Sequence, residues 1–229
     1  MSNKKEFGSG PFFTITNHIY GFLLTSVSFI VCNCLLLFVS LVIKPVFSNM
    51  IFYFLALIPT GPALSALIYS IRKLMKEKEI APIKLYFYGY KRNLKDASKL
   101  WIPFLVISFV LVADLQYFNR HSSVMNSVLE IVFVMALFFL AVAVFYGLLI
   151  SSQFVFRTKD LLKLSILYLL TKVKCTLGNI ALIIILLFLS MITSNLVVIL
   201  FSSLICYAFL LNSQVILKDV EENYIQSSQ

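Results

Sequence analysis

Long apolar runs separated by short polar or basic stretches organise this chain. A helix needs about 20 mostly apolar residues to cross a hydrocarbon core ~30 Å thick. Runs that reach or approach this length extend from about Ile19 to Ile43, Ile51 to Ile71, Trp101 to Phe118, Ser127 to Ile150 and Asn179 to Leu217. The last holds 39 residues without a charge, too many for one span, and Thr193-Ser194-Asn195 interrupts it near its middle. It is expected to form two spans joined by a tight turn. The pattern predicts an all-α polytopic membrane protein, a single domain over residues 1–229 with six transmembrane helices at about 19–43, 51–71, 101–118, 127–150, 179–194 and 196–217.

Composition supports the same class. Hydrophobic residues make up 60% of the chain and charged residues 13%, about half the charged share of a soluble domain. A water-soluble globule of this size has too little interior for so much apolar surface. This excludes a soluble enzyme, a nucleic-acid-binding domain and a secreted disulfide scaffold. Lys4 and Lys5 before the first run imitate the start of a secretory signal. That run is far longer than the 7–15 residues of a signal's apolar region, however, and no A-x-A-like site follows it, so it is expected to be a retained span.

Charge sets the expected orientation. Seventeen of the nineteen Lys and Arg residues fall in the N-terminal tail, the loops 72–100 and 151–178, and the C-terminal tail; only Lys44 and Arg120 fall in the alternate loops. Basic loops stay on the cytoplasmic side. A multi-pass cell-membrane protein with both termini cytoplasmic is therefore expected, and an even number of spans agrees with it. The net charge of +9 then points to an anionic inner leaflet as the partner of the basic loops and not to nucleic acid.

The loop after the second span carries its own helical pattern. Ile83, Phe87, Tyr90, Leu94, Ala97 and Trp101 share one face, and Lys84, Lys91, Arg92, Lys95 and Lys99 lie off it. Pro82 suits a helix start. An amphipathic helix is expected in the headgroup region, with its basic residues on the inner leaflet, leading into the third span at Trp101. A docking surface for a cytoplasmic partner is the alternative. The loop 151–178 repeats the pattern more loosely, with Leu161, Leu162, Leu164, Leu167, Tyr168, Leu169 and Leu170 among Lys163, Lys172 and Lys174. Lys84-Leu85 superposes on Lys163-Leu164 and Lys95 on Lys174, which hints that spans two and three are duplicated as spans four and five.

Candidate chemistry is sparse. Asp114 in the third span and Glu130 at the start of the fourth are the intramembrane acids. Such residues are functional candidates because burying a charge in the bilayer is costly. Two readings stand: a proton- or cation-binding pair, or acids that reach the outer headgroups or pair with Arg120 or Lys44. Asn33, Asn195, Asn212 and Gln214 are polar residues within spans, suited to interhelical hydrogen bonds or to a polar path. Pro59-Thr60-Gly61-Pro62 interrupts the second span, because two prolines remove two backbone donors. Broken spans mark many transporter binding sites and also occur as packing kinks. Cys32, Cys34, Cys175 and Cys206 lie in or near spans, His18 and His121 on opposite sides, so neither a disulfide nor a metal site is expected. No catalytic residue, cofactor or enzymatic activity is indicated by any phosphate-binding, metalloprotease or nucleophile-elbow motif.

From Pro59 to Trp101 the chain reads Gly61-Pro62-Ala63-Leu64-Ser65-Ala66-Leu67, then Arg72-Lys73-Leu74, an aromatic segment and Lys91-Arg92-Asn93-Leu94-Lys95-Asp96-Ala97. This resembles the YesL-like family of small bacterial integral membrane proteins. The resemblance implies a cell-membrane protein of unknown biochemical activity, accessory to carbohydrate uptake or sensing and partnered with a carbohydrate ABC transporter. It supplies no catalytic residues. The chain does not read as an ABC permease itself, since the coupling helix would need Glu-Ala-Ala where Ile83-Lys84-Leu85 stand. A small secondary transporter using the broken second span and Asp114 is the alternative function. The charge asymmetry predicts that reporter fusions at Ser48, Ser122 and Ser194 read as external and fusions at Lys78, Lys159 and the C-terminus as internal; an external C-terminus would contradict six spans.

Overall fold

The computed structural model describes residues 11–76, 81–119, 124–193 and 195–225. Lys4, Lys5, Lys78, Arg120, His121 and Ser194, which carry parts of the charge and turn expectations, lie outside them. The described residues form eleven α-helices and no strand: α1 (Pro11–Cys32), α2 (Cys34–Val42), α3 (Met50–Ala56), α4 (Thr60–Lys76), α5 (Pro82–Asn119), α6 (Val124–Gln153), α7 (Thr158–Thr171), α8 (Val173–Ile192), α9 (Asn195–Leu200), α10 (Ser202–Asn212) and α11 (Gln214–Val220). Helices α5, α6 and α8 are each long and apolar enough to cross a membrane. Three bent pairs add up to three more spans: α1–α2 bent by 65°, α3–α4 by 48° and α10–α11 by 57°. The chain is thus an all-α polytopic membrane protein with three to six spanning elements.

Helix α4 is the axis of the bundle. It packs against α1, α5, α6 and α10, and every residue from Thr60 to Ile71 except Leu64 is buried. Small residues let its neighbours approach, as expected where backbones must pack closely in a bilayer. A Cβ on Gly61 would overlap the Trp101 side chain, and one on Gly89 would lie 2.7 Å from the Tyr69 ring. Lipid-facing positions such as Phe38, Leu41, Phe52, Leu55, Val132 and Met135 are exposed large apolar residues, the reverse of a water-soluble surface.

The helix expected from Pro82 is present but does not end at Trp101. It continues without a break to Asn119, through Pro103, so the amphipathic segment and the third span are one rod. One stripe runs along it as far as Ser108: Leu85, Tyr86, Gly89, Asn93, Ala97, Leu100, Trp101, Leu105 and Ser108 are buried. The apolar face read from the sequence is therefore divided. Ala97 and Trp101 face the bundle, while Ile83, Phe87 and Leu94 are exposed. Gly89 and Asn93 belong to the core stripe and are invisible to a hydrophobicity count. Lys84, Lys91, Arg92, Lys95 and Lys99 are all exposed, with the Arg92 guanidinium 5.5 Å from the Tyr69 ring centroid.

The second loop forms α7, which is separated from α8 at Lys172 (φ −102°, ψ 55°). Under the superposition of Lys84-Leu85 on Lys163-Leu164, Leu85 and Leu164, Tyr86 and Ser165, Gly89 and Tyr168, Ala97 and Thr176, and Leu100 and Asn179 are buried in both segments. The two loops share a buried stripe; they differ in that one is continuous and the other broken.

Asp219, two residues beyond the apolar run that ends at Leu217, latches α11 onto this second loop. Its Oδ2 accepts a hydrogen bond from the Tyr168 hydroxyl at 2.9 Å, and its Oδ1 one from Lys172 Nζ at 2.8 Å. These bonds, the Lys172 one first, hold the carboxyl below its ordinary value of 3.8, and the Asp219 bond raises Lys172 above its ordinary 10.5. A depressed acid stabilises the folded state above its unfolded value and loses that contribution as pH falls through the folded one; a raised base does so below its unfolded value and loses it as pH rises. Spin labels on α7 and α11 should therefore keep a constant separation from pH 3.8 to 10.5 and move apart on either side. Asp219→Asn should remove both limbs of that profile, since Lys172 owes its shift to the same carboxylate.

Candidate functional site

The breaks in the first two spans meet. At Asn33 (φ −105°, ψ 19°) the first span bends. The Asn33 side chain competes with the backbone there, as amides do: its Nδ2 donates to the Phe29 carbonyl at 2.9 Å. Its Oδ1 accepts a 2.6 Å hydrogen bond from Thr60 Oγ1. Both residues are buried, Asn33 at 1% and Thr60 at 8% exposure. Two of the polar features singled out in the sequence, Asn33 and Pro59-Thr60-Gly61-Pro62, thus form one crossing.

The prolines explain the second break. Neither Pro59 nor Pro62 can donate a backbone hydrogen bond, and the carbonyls around them are satisfied in other ways. Leu55 O accepts from the Ile58 amide at 3.2 Å, and Leu57 O from the Thr60 amide at 3.0 Å. Leu57 O also accepts the Trp101 indole N–H at 2.8 Å. Trp101 reaches it because Gly61 has no side chain in the way. The α4 helix restarts with the Ala63 amide on Pro59 O at 3.1 Å, and the Tyr86 hydroxyl adds a bond to Ala63 O at 3.1 Å.

A second polar cluster sits at the bend between α10 and α11, and only Asn212 of it was noted in the sequence. Asn212 Nδ2 donates to Cys175 O and to Asn179 Oδ1, both at 2.8 Å. Asn179 Nδ2 donates to Ser213 Oγ at 3.0 Å and to the Tyr146 hydroxyl at 3.3 Å, and Tyr146 lies 3.3 Å from Thr176 Oγ1. A Cβ on Gly178 would lie 2.7 Å from the Asn212 amide. Asn179 looked like the edge of a span; its glycine neighbour was the available signal that another polar group packs there.

The two acids are placed differently. Asp114 on α5 and Glu130 on α6 are both half-buried. Glu130 lines a cavity of about 530 Å³ together with Gln116 and Asn119, and Asp114 is not part of that lining. No hydrogen bond or ion pair among the described residues joins the acids to each other or to Lys44. Gln214 lines a separate cavity of about 260 Å³ with Arg72, Lys76, Lys218 and Glu221.

An apolar cleft of about 490 Å³ lies between α4, α6, α8 and α10, bordered by Phe29, Trp101, Phe145, Ile183 and Phe209. Its polar lining is Ser190 and Ser202, and Ser202 Oγ is buried without a hydrogen-bond partner. Such a space suits hydrocarbon. Among the described residues, no group of three His, Cys, Asp or Glu side chains gathers as a metal site would.

Fold and crossing together define a polytopic all-α membrane protein built on interlocked broken helices. Residues 22–115 match the model of a family described as a protein of unknown function, DUF624, which includes the YesL-like proteins. The matched segment runs from within α1 to within α5 and contains the whole Asn33–Thr60–Trp101 crossing. Neither a curated protein nor a solved structure matches the chain.

The crossing makes a mutational prediction. Trp101→Phe keeps the ring and removes the bond to Leu57 O, and should lower stability by about 1 kcal/mol. Gly61→Ala introduces a methyl into the indole and should cost about 1–3 kcal/mol. Thermal unfolding of the detergent-solubilised protein measures both, and Trp101→Phe should not rescue Gly61→Ala, because the Cβ and Cγ that the new methyl meets are present in phenylalanine as well.

Proposed function

We propose that the chain is a non-enzymatic integral protein of the bacterial cell membrane, accessory to carbohydrate uptake or sensing, which acts by associating with a carbohydrate ABC transporter. One observation supports this above others: the side chains that hold the bends inside the spans are engaged with one another. Asn33, Thr60, Asn179, Asn212 and Ser213 are hydrogen-bonded within the protein, and the cleft between α4, α6, α8 and α10 is apolar apart from two serines. A sugar needs a partner for each hydroxyl it buries, and this cleft provides few. The exposed apolar flanks of α2, α3 and α6 suit lipid or the spans of another membrane protein. The carbohydrate context rests on the YesL-like resemblance of Pro59–Trp101, and the cytoplasmic placement of both termini on the distribution of Lys and Arg.

A small secondary transporter is the second reading. The bends at Asn33 and at Pro59–Thr60 favour it, since discontinuous helices that meet inside a membrane are the usual setting of such sites, and half-buried Asp114 would be its coupling acid. The test uses affinity-tagged protein solubilised from native membranes, together with purified protein in proteoliposomes. Co-purification of a sugar-transporter subunit, with no proton-coupled flux, is the expected result. Flux that Asp114→Asn abolishes at normal protein abundance would replace the accessory reading with the transporter.

A further inference from the structure

Beside the C-terminal end of α4 lies the cavity of about 260 Å³ lined by Arg72, Met75, Lys76, Leu210, Gln214, Leu217, Lys218 and Glu221. It is separate from the crossing, from the apolar cleft and from the basic face of α5. Three cations and one acid border it: Arg72 and Lys76 on α4, Lys218 on α11 and Glu221 just past its end. Among the described residues none of the four forms a salt bridge, although Glu221 acts on Arg72 electrostatically from a distance and Lys172 and Asp219 close by do pair.

Arg72 is the central observation. Its Nη1 is buried and has no hydrogen-bond partner, while its guanidinium carbon is held 6.0 Å from the centroid of the Phe154 ring. A guanidinium has five N–H donors in a fixed fork and no acceptor. Leaving a buried charged donor unpaired is costly, and the aromatic face restrains the group rather than satisfying its N–H bonds. Lys76, Lys218 and Gln214 are exposed at the rim and bring further donors to the same volume. Lys76 and Lys218 lie in the last turns of α4 and α11, where a cation also complements the helix dipole, so both have a structural reason to be there; Arg72 does not share it.

The geometry points to an anion site here that takes a phosphate group, with Arg72 as its fork and Lys76, Lys218 and Gln214 as flanking donors. Arginine is the side chain best matched to phosphate oxygens. The volume falls below the ~300–1,000 Å³ of drug-sized pockets, which suits a headgroup or a small phosphate and not a nucleotide. Met75, Leu210 and Leu217 form an apolar wall, compatible with the glycerol end of a phospholipid. Glu221 is the one unfavourable group and sets the site's affinity from the other side.

Delipidated full-length protein would be titrated calorimetrically with inorganic phosphate. In parallel, native mass spectrometry would count phosphatidylglycerol and phosphatidylcholine retained after exchange from mixed nanodiscs. Arg72→Gln should weaken binding about tenfold, as loss of a charge-assisted pair does. Because Arg72→Gln perturbs a half-buried position, the rim variant Lys76→Gln/Lys218→Gln provides a second reading and should also weaken binding. Glu221→Gln should tighten it, a gain that loss of structure does not produce. Phosphate binding with this pattern identifies a soluble phosphate source; selective retention of phosphatidylglycerol with this pattern, and no phosphate binding, identifies the lipid headgroup. Absence of both, or binding indifferent to the rim and Glu221 variants, would overturn the site.

Discussion

The hydrogen bond from Thr60 Oγ1 to Asn33 Oδ1 is the constraint around which the first half of the chain is arranged. A span that bends exposes backbone groups, and within hydrocarbon each unsatisfied group costs several kcal/mol. Here two bent spans solve the problem jointly. Asn33 saturates the Phe29 carbonyl with one end of its amide and receives Thr60 with the other. Trp101 completes the arrangement from α5 by donating to the Leu57 carbonyl just past α3. Removing Asn33 or Thr60 would leave the other with a buried, unanswered polar atom, and removing Trp101 would leave Leu57 O with the Thr60 amide alone. This is why α4, which starts at the crossing, can be buried on nearly every side.

The second half reaches the same solution with different residues. The α10–α11 bend is held by Asn212, Asn179, Ser213 and Tyr146 in place of Asn33, Thr60 and Trp101, and Gly178 gives the close approach that Gly61 gives at the first crossing. In both, a glycine admits a larger polar side chain and an amide carries a donor and an acceptor to two different helices. Asn33 and Asn212, which could have been read as part of a translocation path, act as ties between helices.

Much of the architecture was legible in the apolar runs, because a bilayer demands length and continuity of any helix that crosses it. The break at Pro59-Thr60-Gly61-Pro62 was legible as well, since proline removes a donor wherever it stands. What joins the break to Asn33 was not: the two residues come together only through the packing of α1 on α4. The continuity of α5 past Trp101 was hidden because Gly89 and Asn93, which carry the buried stripe through the basic segment, do not register as apolar. Arg72 and Lys218 read as loop charges for the inner leaflet, and only the return of α11 beside α4 brings them to one cavity. The distribution of Lys and Arg describes which side a loop occupies and carries no information on which basic residues face one another.

These ties also bear on what the protein does. A bundle whose bends are locked by buried amides is suited to presenting fixed surfaces to lipid or to a partner, and a transporter would need to open the same contacts during its cycle. The most direct measurement is a double-mutant cycle on Asn33→Ala and Thr60→Ala, read as unfolding free energy of the solubilised protein. Coupled side chains should give an interaction energy on the order of 1 kcal/mol, within the range for hydrogen bonds between membrane helices. Losses that add within about 0.3 kcal/mol would contradict the crossing as the constraint on which the fold depends.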